Sequence, residues 1–389
     1  MISLRKPIAE LAPNLIREVA EAGFGRKDII ALWFGEGDQP TPGFIKDAAL
    51  RGLDENHVYY TPNSGVPDLR EAIRAYTKRI YGLDLARERI TVTGSGMHAM
   101  MILMQALLDP GDEMVMVTPA WPNVAGAAAV MGGVTREVSL TPSNGSWFLD
   151  VDKVRAACGP KTRVVCFNSP SNPTGWVIDE GAAAALLAFC REKGLWLICD
   201  DVYSRIVYER NRAPLLVAEA TEDDRVISVN SFSKSWSMTG WRLGWIVAPK
   251  AMERPLALLN EFSIAGPTSF VQDAGIAALA EGEEGIAEMM ASYRECRDLI
   301  VGRLSAFPGV TLDAPAGAFY AFFKVEGLKD SLALAMRIME ETGVGLAPGR
   351  AFGEAGEGYL RACFAARPET LSLAMDRLEP FFNTYSGDA

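Results

Sequence analysis

Residues 230–245 read NSFSKSWSMTGWRLGW, and this stretch decides the fold assignment. It follows an apolar run at 226–229 that is typical of a buried strand. Lys234 stands among four serines, with aromatic residues on both sides and Arg242 eight positions later. Apolar surroundings disfavour an ammonium ion, so the pattern predicts a lysine with a lowered pKa that can act as a nucleophile or base.

Serine hydroxyls and a guanidinium close to Lys234 suit a phosphate group. An imine-forming lysine beside a phosphate site suggests pyridoxal 5'-phosphate (PLP), whose aldehyde reacts with the amine while its phosphate anchors it. The alternative is an ordinary surface lysine in a serine-rich loop. Four aromatic residues within this stretch argue against a fully solvated loop, so we favour the cofactor interpretation.

The composition of the whole chain narrows the class of protein. Its 389 residues suggest two domains, and 49% hydrophobic against 22% charged residues predict a large core. The formal charge is 38 − 49 = −11, which disfavours nucleic acid and anionic membranes as partners. Six cysteines without CxxC spacing and only two histidines make a metal site improbable. Reduced thiols and the lack of a signal sequence or membrane span indicate a cytoplasmic protein.

Outward from the lysine stretch, apolar strands alternate with helices. The strand predictions cover 29–34, 90–93, 114–117, 164–167, 195–199 and 226–229. Continuous apolar strands joined by helices predict an α/β fold with a mostly parallel sheet covered by helices on both faces. Polar motifs follow the carboxyl ends of these strands, where open α/β sheets bind ligands.

The pattern changes near residue 285. A long helix at 289–306 precedes strands at 319–325 and 359–362, with a helix at 331–342 between them. We therefore expect a large cofactor-binding domain at 44–285. A smaller α+β domain would combine 286–389 with 1–43, which include an N-terminal arm.

Three motifs beyond the lysine stretch carry polar groups that suit this cofactor. The first, GSGMHA at 94–99, fits a phosphate on a helix N-terminus, although a tight turn without a ligand explains it about equally well. In the second, Asp200 ends an apolar strand and Tyr203 follows. A carboxylate there suits a pyridinium N–H, and the alternative is a helix N-cap.

The third motif is NSPSNPTG at 168–175, in which Asn172 can donate to the ring oxygen, although a proline-rich turn has the same composition. Trp121 can stack on the ring or simply belong to the core. Arg361 lies inside an apolar strand, where a buried guanidinium needs a carboxylate. That carboxylate belongs either to a structural ion pair or to a substrate.

Together, these residues resemble the PLP-dependent aminotransferases of fold type I, in the class I/II family that includes aspartate aminotransferase. The resemblance extends along almost the whole chain, and the ordered set NPTG, D-x-x-Y and SFSK-x(7)-R is highly specific. It implies the two-domain α/β architecture of that fold type. It also implies a transfer of an amino group from an L-amino acid to a 2-oxo acid by a ping-pong mechanism.

The resemblance also implies a role for each matching residue. Lys234 would form the Schiff base and move the proton, Asp200 would pair with the pyridine nitrogen, and Tyr203 and Asn172 would bind the ring hydroxyl. Trp121 would stack on the ring, at a place where many relatives have tyrosine. The phosphate would be held by Ser95, Gly96, Met97, Ser231 and Arg242. The substrate carboxylate would be bound by Gly35, Asn172 and Arg361.

Tyr60 would reach the phosphate in the neighbouring subunit, so the resemblance implies a homodimer. In one respect the chain departs from the family's dicarboxylate-specific branch. That branch uses a further arginine from the partner subunit, and no motif here places one. The amino donor and the oxo-acid acceptor therefore stay open.

Two other functions compete with amino transfer. A PLP-dependent C–S β-lyase acting on sulfur amino acids would use every residue named above. An aminotransferase-like sensor domain of a transcription regulator would need a basic DNA-binding module ahead of the fold. We disfavour the sensor because the predicted fold begins within about 30 residues of Met1 and the charge is −11.

Overall fold

The structure is a computed structural model that describes residues 4–143 and 146–387. Its helices are α1 (Lys6–Ala9), α2 (Leu15–Gly23), α3 (Gly43–Asp54), α4 (Pro67–Tyr81), α5 (Gly96–Leu107), α6 (Pro122–Met131), α7 (Val151–Ala157), α8 (Glu180–Lys193), α9 (Phe232–Ser235), α10 (Glu253–Ile264), α11 (Ser269–Glu281), α12 (Glu283–Ser305), α13 (Ser331–Thr342) and α14 (Pro368–Thr384). Its strands are β1 (Ile30–Ala31), β2 (Ile90–Thr93), β3 (Glu113–Thr118), β4 (Val134–Ser139), β5 (Thr141–Ser143), β6 (Ser146–Phe148), β7 (Thr162–Asn168), β8 (Trp196–Asp200), β9 (Val226–Ser231), β10 (Gly244–Val247), β11 (Val310–Leu312), β12 (Tyr320–Val325), β13 (Val344–Gly345), β14 (Ala347–Pro348) and β15 (Tyr359–Cys363).

A seven-stranded sheet in the order β2-β10-β9-β8-β7-β3-β4 forms the centre of the molecule. All of its strand pairs are parallel except the two that involve β10, which runs antiparallel to β2 and to β9. Because β10 runs backwards, its first residue lies at the edge where the neighbouring strands end. The loop that precedes β10 therefore reaches the same edge as the loops that follow the parallel strands.

Both faces of this sheet are buried, which explains its apolar strands. Alternate residues of one strand contribute to different core clusters. In β7, Val164 and Cys166 pack on one side, and Val165 and Phe167 pack on the other. Since successive side chains of a strand point to opposite faces, helices must cover the sheet on both sides.

A second, four-stranded sheet in the order β11-β12-β15-β14 is entirely antiparallel. The N-terminal segment joins this part of the chain, because β1 pairs in parallel with β13 and the Cys363 N–H donates to the Leu32 carbonyl at 2.9 Å. The stretch just after β1 is thereby held beside β15. This pairing brings Gly35 and Arg361 toward the large sheet.

The expected α/β architecture with a mostly parallel, doubly covered sheet is confirmed. Two predicted elements differ from the structure by several residues: the apolar run at 29–34 forms only the short strand β1, and the long helix α12 begins at Glu283 rather than at 289. No helix in the described part of the chain combines the length and the apolar character needed to cross a membrane. Within the same residues, no group of His, Cys, Asp and Glu is placed to hold a metal ion.

Candidate active site

The carboxyl edge of the large sheet, together with β12, β15 and α2, encloses a cavity of about 290 Å³. Loops after β2, β3, β7, β8 and β9 and the loop before β10 converge there. The cavity is lined by most of the residues singled out from the sequence, which are Gly35, Gly96, Met97, Trp121, Asn172, Asp200, Tyr203, Ser231, Lys234, Arg242 and Arg361. The strand order thus brings together residues that are up to 326 positions apart, from 35 to 361.

The N-terminus of α5 forms one end of this cavity. Ser95 caps the helix, since its Oγ accepts from the His98 N–H at 2.9 Å, and Gly96 and Met97 follow in the first turn. Gly244 lies directly behind this turn, because a Cβ there would come within 2.7 Å of the Asn230 oxygen and 2.8 Å of the Gly96 nitrogen. The unpaired N–H groups of such a helix start attract a phosphate.

Two further polar groups border the same end. Ser231 ends β9, and its Oγ accepts from the Ser233 N–H at 3.1 Å. Arg242 has a left-handed backbone conformation, with φ of 57°, just before β10, and its Nη1 donates to the Thr239 oxygen at 2.5 Å. A guanidinium and a capped helix start at one end of a cavity provide charge and donors for a phosphate.

Lys234 extends from the short helix α9 into the centre of the cavity. Its Nζ donates to the Gly35 carbonyl at 2.6 Å and lies 5.7 Å from the Tyr203 ring centroid and 5.9 Å from that of Phe319. Burial lowers the pKa of this amine to about 8, while nearby Cys363 and Glu36 oppose the shift. At neutral pH a usable fraction of the amine is therefore unprotonated and nucleophilic.

Asp200 ends β8 with its carboxyl group buried at the cavity wall. Burial raises the pKa of Asp200 to about 7, although the Val202 N–H and the charge of Lys234 act in the opposite direction. The hydrogen bond from Val202 is long, at 3.4 Å. The helix N-cap alternative is wrong, because the chain continues from Asp200 into turns and not into a helix. A buried carboxylate this poorly paired suits a cationic ring N–H.

The Tyr203 hydroxyl lies 2.6 Å from the Tyr320 hydroxyl, and both side chains are buried. Burial raises the pKa of Tyr203 well above its ordinary value, so its phenol stays protonated and available as a donor. Asn172 is also buried, and its Oδ1 accepts from Arg361 at 2.8 Å, which leaves its NH2 group as the end that can donate to a ligand. Trp121 stands at the start of α6 on the cavity wall.

Arg361 is among the largest fully buried side chains of the described residues, with 1% of its surface exposed. Its guanidinium donates to the Asn172 Oδ1 and to the Trp33 carbonyl, and it lies 4.5 Å from the Tyr320 ring centroid. The Nε atom is buried without a hydrogen-bond partner, and burial lowers the pKa of the group. No Asp or Glu of residues 4–143 and 146–387 pairs with it, so the structural ion pair considered above is wrong for this part of the chain.

Two of the sequence-predicted residues do not line the cavity. Ser95 lies one residue outside it, where it caps α5. Tyr60 is 91% exposed and lies outside the lining of the chain's own cavity. The sequence reading also missed residues that do line the cavity, among them Asn14, Arg17 and Tyr320. Tyr320 falls within the strand predicted at 319–325, whose apolar pattern indicates only a core position, and the arm residues carry no motif.

The residues of the cavity fit PLP on their own chemistry. The capped start of α5 and Arg242 suit the phosphate, Lys234 suits the aldehyde, and the incompletely paired Asp200 suits the pyridine nitrogen. Gly244 adds to this fit, since any side chain there would displace the turn that receives the phosphate. The order of these groups across the cavity, from phosphate end to buried arginine, leaves the Arg361 end for a substrate.

Comparisons with known proteins find aminotransferases. The family model described as "Aminotransferase class I and II" matches residues 27–378. An aspartate aminotransferase of Pyrococcus horikoshii is 36% identical over 367 residues, which are 94% of this chain and 93% of that protein. The structure of an aspartate aminotransferase from Thermus thermophilus with maleate matches with a TM-score of 0.91 at 32% identity, covering 98% of this chain and all of the other. An alanine aminotransferase from Pyrococcus furiosus matches with a TM-score of 0.90 at 30% identity, with the same coverage.

Proposed function

Because this chain belongs to the class I and II aminotransferases, we propose that it transfers the amino group of L-aspartate to a 2-oxo acid. The chain is a PLP-dependent enzyme that moves an amino group between an amino acid and an oxo acid. The identity of the amino donor and the role of each residue are proposed. The observation that carries it is a buried arginine, Arg361, which no carboxylate of the described residues pairs with and which lines the same cavity as Lys234.

PLP supplies an electron sink and carries the amino group between the two half-reactions. Around it, Lys234 Nζ takes the proton from the substrate Cα and returns it, as a base with a pKa of about 8 can do near neutral pH. Asp200 would keep a proton on the ring nitrogen. Tyr203 and Asn172 would donate to the ring oxygen, and Trp121 would pack against the ring.

The phosphate is assigned to Ser95, Gly96, Met97, Ser231 and Arg242, with Tyr60 of the partner subunit. Arg361, Asn172 and Gly35 are assigned to the substrate α-carboxylate. The guanidinium offers two parallel N–H groups, which is the geometry a carboxylate matches.

The position of Arg17 favours an amino-donor substrate that carries a second carboxylate. It lies in the first turn of α2, lines the cavity, and sits 5.5 Å from the Phe34 ring centroid. No ion pair engages Arg17 within the part of the chain that the structure describes. Its guanidinium is therefore a second cation for a dicarboxylic substrate, supplied by this chain's own arm. The Thermus relative was solved with maleate, which is also a dicarboxylic acid.

We also propose that the chain acts as a homodimer. Val58, Tyr59 and Tyr60 are exposed near Phe262 and Ile264, which are exposed as well, and we call these five residues the apolar patch. Hydrogen bonds hold the two segments of the patch together, since Thr61 donates to the Pro267 oxygen at 2.8 Å and Asn63 to Glu261 at 3.0 Å. A second copy covering this patch would bring its Tyr60 to the phosphate end.

The division into a large domain at 44–285 and a smaller one from 1–43 and 286–389 remains a proposal. It is supported by the separate seven-stranded and four-stranded sheets and by the pairing of β1 with β13. A cytoplasmic location is likewise proposed. All six cysteines are free, as expected in a reducing compartment.

The proposed function is tested by mixing the holoenzyme with single amino donors and recording the loss of its visible absorbance. We expect L-aspartate with 2-oxoglutarate to give the highest kcat/KM, and L-alanine to give at least about 10-fold less. A preference for alanine over aspartate would refute the assigned donor. Release of pyruvate from cystathionine without an oxo acid would instead favour the β-lyase.

A further inference from the structure

Tyr320 occupies a position between the cofactor end and the carboxylate end of the cavity. It is the first residue of β12 and is completely buried. Its hydroxyl lies 2.6 Å from that of Tyr203, while the Arg361 guanidinium lies 4.5 Å from its ring centroid. Gly35 adjoins the same hydroxyl so closely that any Cβ at Gly35 would collide with it. One side chain thus contacts residues assigned to the ring oxygen and to the substrate carboxylate.

A bound cofactor would fix which of the two hydroxyl groups donates the hydrogen bond between them. Each phenol has one proton to donate. If Tyr203 donates its proton to the ring oxygen of the cofactor, the contact with Tyr320 survives only if Tyr320 donates to Tyr203. A chain of two hydrogen bonds in one direction results, and each bond polarises and strengthens the next.

We propose that Tyr320 is a positioning residue, whose hydroxyl donates to Tyr203 to strengthen the Tyr203 bond to the cofactor ring oxygen, and whose ring supports the Arg361 guanidinium. This inference rests on the proposed roles of Tyr203 and Arg361. It assigns Tyr320 no direct contact with the reacting atoms. The hydroxyl and the ring have separate tasks, so different variants can remove them separately.

The charged groups around the two phenols stay the same when Tyr320 loses only its hydroxyl. Arg361 on β15 lowers the pKa of both phenols, whereas Asp200 on β8 raises both and the Cys363 thiol on β15 raises that of Tyr320. Hydrogen bonds to a charged oxygen favour its charged form. Loss of the Tyr320 hydroxyl would weaken the Tyr203 bond and so disfavour the charged form of the cofactor ring oxygen. The pH midpoint of the holoenzyme's visible absorbance should therefore move upward.

The experiment records the visible absorbance as a function of pH for four holoenzymes: wild type, Tyr320→Phe, Tyr203→Phe and the double variant. We expect Tyr320→Phe to raise the midpoint by about half a pH unit to one unit, the equivalent of one neutral hydrogen bond. Tyr203→Phe should raise it further. In the Tyr203→Phe background the second substitution should add nothing, because the relay is already broken.

Tyr208→Phe is the matched control. Tyr208 is a buried tyrosine outside the cavity lining, and its hydroxyl donates to the Ala318 oxygen at 2.7 Å. Its loss removes one buried hydrogen bond from the fold, as Tyr320→Phe does. The control should lower the thermal midpoint of unfolding without moving the absorbance midpoint, which separates a general loss of stability from a relay effect.

Tyr320→Leu removes the ring as well and tests the second task, even if Tyr320→Phe proves too unstable to isolate. It should raise the absorbance midpoint and weaken aspartate binding at least about 10-fold, whereas Tyr320→Phe should leave binding within about 3-fold of wild type. An unchanged midpoint in both variants, or additive shifts in the double variant, would overturn the relay. Failure of the wild type to bind PLP at all would instead refute the proposed function.

Discussion

At the scale of single residues, the site depends on charged groups that are buried without their usual partners. Lys234 hydrogen-bonds a carbonyl, Asp200 receives one long hydrogen bond, and Arg361 pairs with amide and carbonyl oxygens. A protein that buries such groups loses stability unless a ligand supplies the missing charge. The three groups therefore define the shape and polarity of what binds between them.

The first prediction concerns the pH dependence of cofactor binding by the apoenzyme. Only the neutral amine attacks an aldehyde, and the pKa of Lys234 is about 8. The rate of holoenzyme formation should therefore rise about 10-fold from pH 7 to pH 9 and then level off, since the lysine is protonated below its pKa. Stopped-flow absorbance measures this rate. A rate that continues to rise through pH 10 would mean that the amine is not perturbed.

The second prediction concerns Arg361→Gln. The substitution should weaken L-aspartate binding by about 10²-fold, because a buried guanidinium contributes a charged hydrogen-bonded pair to the substrate. The apoenzyme should lose only about 1–3 kcal/mol of stability, because the buried Asn172 and Trp33 oxygens lose a donor while no carboxylate of the described residues loses a partner. Amino-acid titration of the holoenzyme and thermal unfolding of the apoenzyme measure the two effects. Marked destabilisation with unchanged aspartate affinity would make Arg361 a structural residue.

At the scale of elements, the strand ends decide which residues meet. The sequence predicted the parallel strands and the polar motifs after them, because apolar runs and motifs are local patterns. It did not predict β10 as an antiparallel strand between β2 and β9, which is what carries Arg242 to the shared edge. Nor did it predict that α2 would place Arg17 on the cavity wall, because helix packing depends on contacts distant in sequence.

The third prediction tests the close packing of β10 behind the start of α5. Gly244→Ala should weaken PLP binding at least about 10-fold, because the added methyl group would push the turn at Gly96 out of place. Gly240→Ala is the matched control, since an added Cβ there meets nothing within 4 Å. Equilibrium titration of each apoenzyme with PLP measures affinity, and circular dichroism checks the fold. Equal affinities in the two variants would contradict the assignment of this turn to the phosphate.

At the scale of the whole molecule, the proposed homodimer would complete the site. Tyr60 is exposed at the apolar patch, and the C-terminal end of α10 in the same patch lies beside the turn at Gly94. A hydrophobic surface next to a ligand site indicates a partner subunit that helps to close it. The proposed dimer would explain why Tyr60, which is assigned to the phosphate, lies outside the chain's own cavity.

The fourth prediction tests the proposed dimer. The wild-type chain should sediment at twice the monomer mass. Phe262→Lys should weaken dimerisation by at least about 10-fold and reduce PLP affinity with it, because a charge would be buried in the interface. Leu373→Lys, which places the same charge on an exposed apolar position of α14, should sediment like wild type. A monomeric wild type with full activity would refute the role of Tyr60 of the partner subunit.

The covalent position of the cofactor tests the central claim most directly. The holoenzyme is treated with borohydride, digested, and analysed by mass spectrometry for the lysine that carries the reduced cofactor. The account predicts a single labelled peptide with the label on Lys234, and no label in Lys234→Ala. Labelling of a different lysine, or an equally labelled Lys234→Ala protein, would contradict it.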